Sequence, residues 1–90
     1  MEARVKIIVK GLVQGVGYRY FCSRMAQEFN INGYAKNLTD GSVEIEAVGR
    51  KSMMNEFISA LKRGPMNSNV KSITIDDLPY EDKFTGFRIY

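Results

Sequence analysis

The sequence predicts an α+β fold in which two helices cover one face of a mainly antiparallel sheet, in the order βαββαβ with an extra C-terminal strand. Several short stretches alternate apolar with polar residues, which is typical of strands with one buried face. Two other stretches carry apolar residues at helical spacing. A length of 90 residues suffices for one core, so we expect a single domain over residues 1–90.

The first half of the chain is predicted to form a strand, a helix and a hairpin. Residues 3–10 alternate and predict the first strand, and residues 19–30 carry an apolar stripe that predicts the first helix. Residues 33–38 and 42–49 predict two further strands. The turn residues 39–41 between them, Thr-Asp-Gly, favour a hairpin.

The second half is predicted to form a helix and two strands. Residues 51–63 place apolar side chains at helical spacing, and the Gly64-Pro65 pair ends that helix. Residues 70–76 predict a strand, and residues 84–90 predict a last strand with Phe87 and Ile89 facing inward. Two helices on one face of such a sheet form the ferredoxin-like sandwich.

Composition limits the classes of function. The net charge of +3 is mild and the basic residues are not clustered, so we expect no nucleic-acid partner. No segment is long and apolar enough for a membrane span or a signal peptide. The single cysteine, Cys22, cannot form an internal disulfide, and we expect a small buried side chain in a cytoplasmic protein.

Histidine is absent from the chain. Its absence removes the commonest general base, the commonest metal ligand and every Ser-His or Cys-His nucleophile. Chemistry in this chain therefore has to use arginine, asparagine, main-chain N–H groups and water. We expect no metal and no cofactor.

The segment from Gly11 to Arg19 predicts a phosphate-binding loop between the first strand and the first helix. Gly11, Gly15 and Gly17 allow positive φ and close approach of a ligand to the main chain. Successive N–H groups and a helix N-terminus attract an anion, and the Arg19 guanidinium can donate to two phosphate oxygens. The alternative is a tight turn that needs positive φ for structural reasons alone.

This loop differs from two well-known phosphate loops. No Lys-Ser or Lys-Thr pair follows the glycines, so it is not the loop of nucleotide triphosphatases. The glycine spacing is also wrong for a dinucleotide-binding turn, whose pattern is Gly-x-Gly-x-x-Gly.

A second polar segment contains Asn37 near the end of a predicted strand in the same sheet. An asparagine amide offers both a donor and an acceptor, and it could hold a water molecule beside a phosphorus atom bound in the loop. The alternative is a strand-end residue that only satisfies a turn.

The two segments together resemble the acylphosphatase family. The first pattern is Gly11-x-Val13-Gln14-Gly15-Val16-x-Tyr18-Arg19, and the second is Gly33-Tyr34-x-x-Asn37-x-x-Asp40-Gly41-x-Val43-Glu44. The Gly64-Pro65 helix end and the Phe87-x-Ile89 ending are also similar. Tyr18 and Tyr34 stand where the family commonly has Phe and Trp, which keeps both positions aromatic.

The resemblance implies hydrolysis of the carboxyl–phosphate anhydride of acyl phosphates to a carboxylate and inorganic phosphate, by attack of water at phosphorus without a metal. It implies that Arg19 binds phosphoryl oxygens and Asn37 positions the water. It further implies that a set of main-chain N–H groups holds the phosphate, namely those of Gln14, Gly15, Val16, Gly17, Tyr18 and Arg19.

Two other functions remain to be separated from this one. Domains of this family also occur in larger hydrogenase-maturation proteins that handle carbamoyl phosphate, so a binding domain on the same scaffold is the alternative. Because the chain runs from Met1 to a strand at Tyr90, we expect a free-standing enzyme. We also expect a monomer. RNA binding is disfavoured because residues 42–49 carry Glu44 and Glu46 and no aromatic residue. The physiological acyl group is not identified.

Overall fold

The computed structural model describes all residues 1–90 as five strands and two helices. They are β1 (Glu2–Leu12), α1 (Tyr18–Phe29), β2 (Asn32–Asn37), β3 (Val43–Arg50), α2 (Lys51–Arg63), β4 (Asn69–Leu78) and β5 (Phe87–Ile89). The strands form one sheet in the order β4-β1-β3-β2-β5. All neighbours are antiparallel except β2 and β5, which are parallel. The predicted ferredoxin-like α+β fold is confirmed.

The core lies between the helices and one face of the sheet. Alternating residues of the two central strands form its floor, namely Val5, Ile7 and Val9 of β1 with Val43, Ile45 and Ala47 of β3. Phe57 and Leu61 of α2 and Cys22 and Ala26 of α1 cover them, each at 0% exposure. Each fully buried large aliphatic side chain stabilises the fold by about 1.5–3 kcal/mol. Cys22 is buried and unpaired, as predicted.

The helices begin and end within one residue of their predicted limits. Helix α1 starts after Gly17 and ends at Asn30, both in the left-handed region at φ 77° and 56°. Helix α2 ends at Gly64, whose N–H donates to the carbonyl of Ala60 at 3.0 Å. The Tyr18 hydroxyl donates to the Leu61 carbonyl at 2.8 Å, which ties the first turn of α1 to α2.

The last strand is shorter than predicted, because β5 covers only Phe87–Ile89 instead of 84–90. Phe84 lies outside the strand, and its ring packs edge-on against Tyr34 at a centroid distance of 5.9 Å. Gly86, at φ 75°, turns the chain into β5. Phe87 faces inward and packs against Phe57. Ile89 pairs with the buried Ala35 and points to the same face of the sheet, but it stays 42% exposed.

Strand direction places the candidate site at one edge of the sheet. Both β1 and β2 run antiparallel to β3, so they are parallel to each other, and β5 is parallel to β2. Their C-terminal ends therefore lie at the same edge. The loop after β1, Asn37 at the end of β2 and Tyr90 after β5 all meet there.

Candidate active site

The glycine-rich loop between β1 and α1 turns through two left-handed residues. Gly15 has φ 76° and Gly17 has φ 77°, a conformation that a side chain disfavours. A Cβ added at either glycine would meet no atom within 4 Å, so the backbone angle and not a close neighbour requires glycine there. The loop is consequently open on its outer side.

The six N–H groups of residues 14–19 donate to no acceptor in the protein. The first bond of α1 is from the Phe21 N–H to the Gly17 carbonyl at 3.0 Å, which leaves the preceding amides free. Free amides at a helix N-terminus carry a partial positive charge of roughly half an elementary unit. A tetrahedral anion has the oxygen acceptors that this set of donors lacks.

The side chain of Gln14 fixes the loop to the neighbouring hairpin. Its Nε2 donates to the main-chain carbonyls of Leu38 at 2.8 Å and Ser42 at 2.9 Å. The hairpin is itself closed by the Leu38 N–H, which donates to the Ser42 carbonyl, and by Asp40, whose carboxylate accepts from Ser42. The Ser42 hydroxyl and N–H lower the pKa of the exposed Asp40 carboxyl. The loop and Asn37 are therefore held at a fixed separation.

Arg19 lies in the first turn of α1 and is half-buried. Its Nη1 donates to the main-chain oxygen of Tyr90, and the Tyr90 N–H donates to the Ala35 carbonyl of β2 at 2.9 Å. These contacts hold the guanidinium at the loop through one of its nitrogens. Its other N–H donors make no hydrogen bond to the protein.

Asn37 is the last residue of β2, beside the hairpin that Gln14 binds. Its Oδ1 is the only buried side-chain nitrogen or oxygen that lacks a hydrogen-bond partner. An unsatisfied buried acceptor costs about 1–3 kcal/mol and is uncommon in native proteins, where a catalytic role or a bound water accounts for many such groups. A donor supplied from outside the protein, such as a water O–H, would satisfy it.

Neither of the ionisable side chains buried under the loop is suited to proton transfer. Burial raises the pKa of the Cys22 thiol to about 12. Burial also raises the pKa of Tyr18, whose hydroxyl points to α2 and away from the loop. No group of three or more His, Cys, Asp or Glu side chains lies together to form a metal-ligand set.

The structure brings all the predicted site residues to one edge of the sheet, and it adds two contacts that the sequence does not reveal. These are the Gln14 side-chain bonds to the hairpin and the Tyr90 oxygen that accepts from Arg19. Sequence reasoning assigns Gln14 only a main-chain role. A glutamine between two glycine turns gives no local sign of its distant partners.

Comparison with known proteins identifies the family. A model of the acylphosphatase family matches residues 5–89. An acylphosphatase of Caldivirga maquilingensis is 47% identical over 89 residues, which cover 96% of this chain and 92% of that protein. No helix here is long and apolar enough to cross a membrane.

Solved structures agree in fold over the full chain. A crystal structure of acylphosphatase from Bacillus subtilis superposes with a TM-score of 0.94 at 37% identity, covering 100% of this chain and 99% of that one. Full-length HypF in its phosphate- and nucleotide-bound form gives a TM-score of 0.91 at 27% identity, but over only 12% of its length. The agreement of family model, full-length relative and fold establishes that this chain belongs to the acylphosphatase family of enzymes.

Proposed function

We propose that this chain hydrolyses acyl phosphates at the edge of the sheet where the loop, Arg19 and Asn37 meet. The single observation that carries the proposal is the set of six loop N–H groups without any acceptor in the protein. The water oxygen bonds to phosphorus, the bond from phosphorus to the acyl oxygen breaks, and its electron pair leaves with the carboxylate. The products are a carboxylate and inorganic phosphate.

Arg19 and the loop amides bind the phosphoryl group. Phosphoryl transfer spreads negative charge over equatorial oxygens, and donors held in place before the reaction stabilise that charge. The main-chain N–H groups of Gln14, Gly15, Val16, Gly17, Tyr18 and Arg19 are such donors, and the Arg19 guanidinium adds a full positive charge. This charge does the work that a metal ion does in other phosphoryl-transfer enzymes, so we propose a reaction without metal.

Asn37 positions the attacking water. The support for this role is the free Oδ1, which can accept a hydrogen bond from water without changing its own protonation state. The Gln14 bonds to Leu38 and Ser42 keep this strand end at a fixed place relative to the loop. The water is thereby held close to the bound phosphorus, which reduces the entropic cost of attack.

A phosphate oxygen of the substrate accepts the proton of the water. The acyl leaving group departs as a carboxylate, which needs no protonation, so no general acid is required. The chain has no histidine, and the Cys22 thiol stays protonated at neutral pH because its pKa is raised to about 12. The kcat profile therefore has no limb near neutral pH that belongs to a protein group.

The second candidate is a domain that binds a carbamoyl-phosphate-like ligand without hydrolysing it. The observation in its favour is the likeness to part of full-length HypF in a phosphate- and nucleotide-bound form, at a TM-score of 0.91. The two functions differ in turnover, since only the enzyme releases phosphate repeatedly from one binding site.

The test is a phosphate-release assay on acetyl phosphate and benzoyl phosphate, with EDTA in a parallel reaction and a phosphate monoester as the control. We expect turnover of both acyl phosphates, no loss with EDTA and no turnover of the monoester. Binding of acyl phosphate without release of phosphate would favour the second candidate. Loss of activity with EDTA would contradict the reaction without metal.

We further propose that residues 1–90 act as one monomeric domain in the cytoplasm. One sheet and one core cluster support a single domain. The loop and Arg19 are held by contacts within the chain, so the proposed site needs no residue from a second copy. The lone cysteine is unpaired, which suits a reducing compartment.

A further inference from the structure

A shallow cavity of about 160 Å³ lies between the glycine loop and β5. One part of its wall is the phosphate-binding machinery, namely Gly15, Gly17 and Arg19. The rest is apolar and includes Val13, Tyr20 and Ile89. The cavity is therefore continuous with the place where the loop would hold a phosphoryl group.

Two of the apolar residues on this wall are exposed. Ile89 is 42% exposed and Tyr20 is 65% exposed. Ile89 is paired with Ala35 of β2, so its side chain lies on the helix side of the sheet, next to the start of α1. An apolar surface next to a binding loop can contact the apolar part of a bound ligand.

The cavity also lies where a leaving group is required. Asn37, the proposed holder of water, does not line it, and neither do Gln14, Leu38 or Ser42, which fix that side of the site. In-line displacement at phosphorus places the attacking and leaving oxygens on opposite sides. With water held on the Asn37 side, the acyl group leaves toward the side formed by α1 and β5.

We propose that this cavity is the acyl subsite, which receives the carbon chain or ring of the acyl phosphate, and that it favours uncharged apolar acyl groups. This inference rests on the proposed function. Arg19 is the only charged residue on the wall. Its guanidinium pairs with the phosphoryl group and is not available to the acyl group. A free carboxylate on the acyl group, as in succinyl phosphate, would therefore contact Ile89 and Tyr20 without a cation to pair with.

The test compares kcat/KM for acetyl, benzoyl and succinyl phosphates in the wild type and in Ile89→Ala. Ile75→Ala is the matched control. Ile75 is similarly exposed, at 40%, but it lies on β4, the outermost strand on the side of the sheet away from β5. Removal of one apolar group from a binding pocket typically changes discrimination by about tenfold or more. We expect Ile89→Ala to lower the benzoyl-to-acetyl ratio about tenfold, and Ile75→Ala to leave it unchanged.

Inhibition by inorganic phosphate gives the second readout. Phosphate fills only the loop, so its inhibition constant should change less than twofold in Ile89→Ala. Ile89→Phe fills the cavity and should slow benzoyl phosphate more than acetyl phosphate. The wild type should use succinyl phosphate less well than benzoyl phosphate.

Failure of this inference and failure of the proposed function give different results. If the wild type hydrolyses all acyl phosphates and Ile89→Ala leaves the benzoyl-to-acetyl ratio unchanged, the acyl subsite is wrong and the catalytic assignment stands. If the wild type releases phosphate from none of them, both are wrong. A phosphate inhibition constant that rises in step with the loss of benzoyl turnover would also overturn the subsite, because it would show damage to the loop.

Discussion

Two polar clusters on this sheet differ in how completely their hydrogen bonds are satisfied. On the face opposite the helices, Glu46 is only 5% exposed, and its carboxylate lies 2.9 Å from Arg4 Nε and 3.9 Å from Lys83 Nζ. The Tyr34 hydroxyl beside it donates to Glu44 at 2.7 Å. At the sheet edge, by contrast, the amides of residues 14–19 have no acceptor and Asn37 Oδ1 has no donor.

The difference separates groups that stabilise the fold from groups that await a ligand. A buried charge destabilises a protein unless it is paired, so the paired Glu46 is a structural group. Unsatisfied polar groups in native proteins are few and concentrate where function requires them. Changes at the sheet edge should therefore reduce activity and leave stability intact, and changes on the open face should do the reverse.

The largest effect is expected for Arg19→Ala. Loss of the guanidinium removes both a charge and a pair of donors from the bound phosphoryl group. One well-placed donor is worth about 3 kcal/mol, or 10²–10³ in rate, so loss of the charge and both donors should lower kcat/KM by at least that much. Arg19→Lys should lose nearly as much, because a point charge cannot donate to two oxygens in one plane.

Steady-state assays on benzoyl phosphate and thermal unfolding of the same samples check this prediction. The melting temperature should shift little, since Arg19 donates only to the Tyr90 main-chain oxygen. A variant that unfolds at a much lower temperature would place Arg19 among the groups that stabilise the fold.

Asn37→Ala should lower kcat by about 10² without weakening phosphate binding. The amide acts on the water and not on the phosphoryl group, so inhibition by inorganic phosphate should persist. Stability should be unchanged or slightly raised, because the substitution removes a buried acceptor that has no partner. Phosphate affinity that disappears together with kcat would contradict the role in holding water.

Glu46→Ala should lower the free energy of unfolding by about 2 kcal/mol or more. The largely buried Arg4 guanidinium would lose its closest charged partner. Denaturation in urea measures the loss, and kcat should stay within twofold of the wild type. Glu81→Ala is the matched control, since Glu81 also contacts Arg4, at 3.5 Å, but its side chain is 64% exposed. It should cost less than about 1 kcal/mol.

The smallest effect is expected for Cys22, whose thiol reports whether the core beneath the loop is accessible to solvent. Burial raises its pKa to about 12, so the folded thiol stays protonated at pH 8 and does not react with a thiol reagent. Above the ordinary thiol pKa of 9.0 only the unfolded thiol ionises, so its contribution to stability declines between pH 9.0 and about 12. Fast labelling of native protein at pH 8 would show that the loop opens into the core.

The sequence predicts the loop, Arg19 and Asn37 because each lies in a short segment whose residue types indicate a phosphate-binding or water-binding role. It also predicts both helices to within one residue, since their apolar stripes and end residues are local. It does not predict the Gln14 bonds or the Arg19 contact, whose partners lie 24, 28 and 71 positions away. The limits of β5 are wrong for the same reason, because Phe84 leaves the strand to pack on Tyr34.

The most direct test of the central claim is a titration of 15N-labelled protein with inorganic phosphate, followed by amide NMR. The largest shifts should fall on the N–H groups of residues 14–19, and the amides around Glu46 should stay unchanged. Arg19→Ala should weaken the same shifts without moving them elsewhere. Shifts scattered over surface lysines, with the six loop amides unmoved at saturating phosphate, would contradict it.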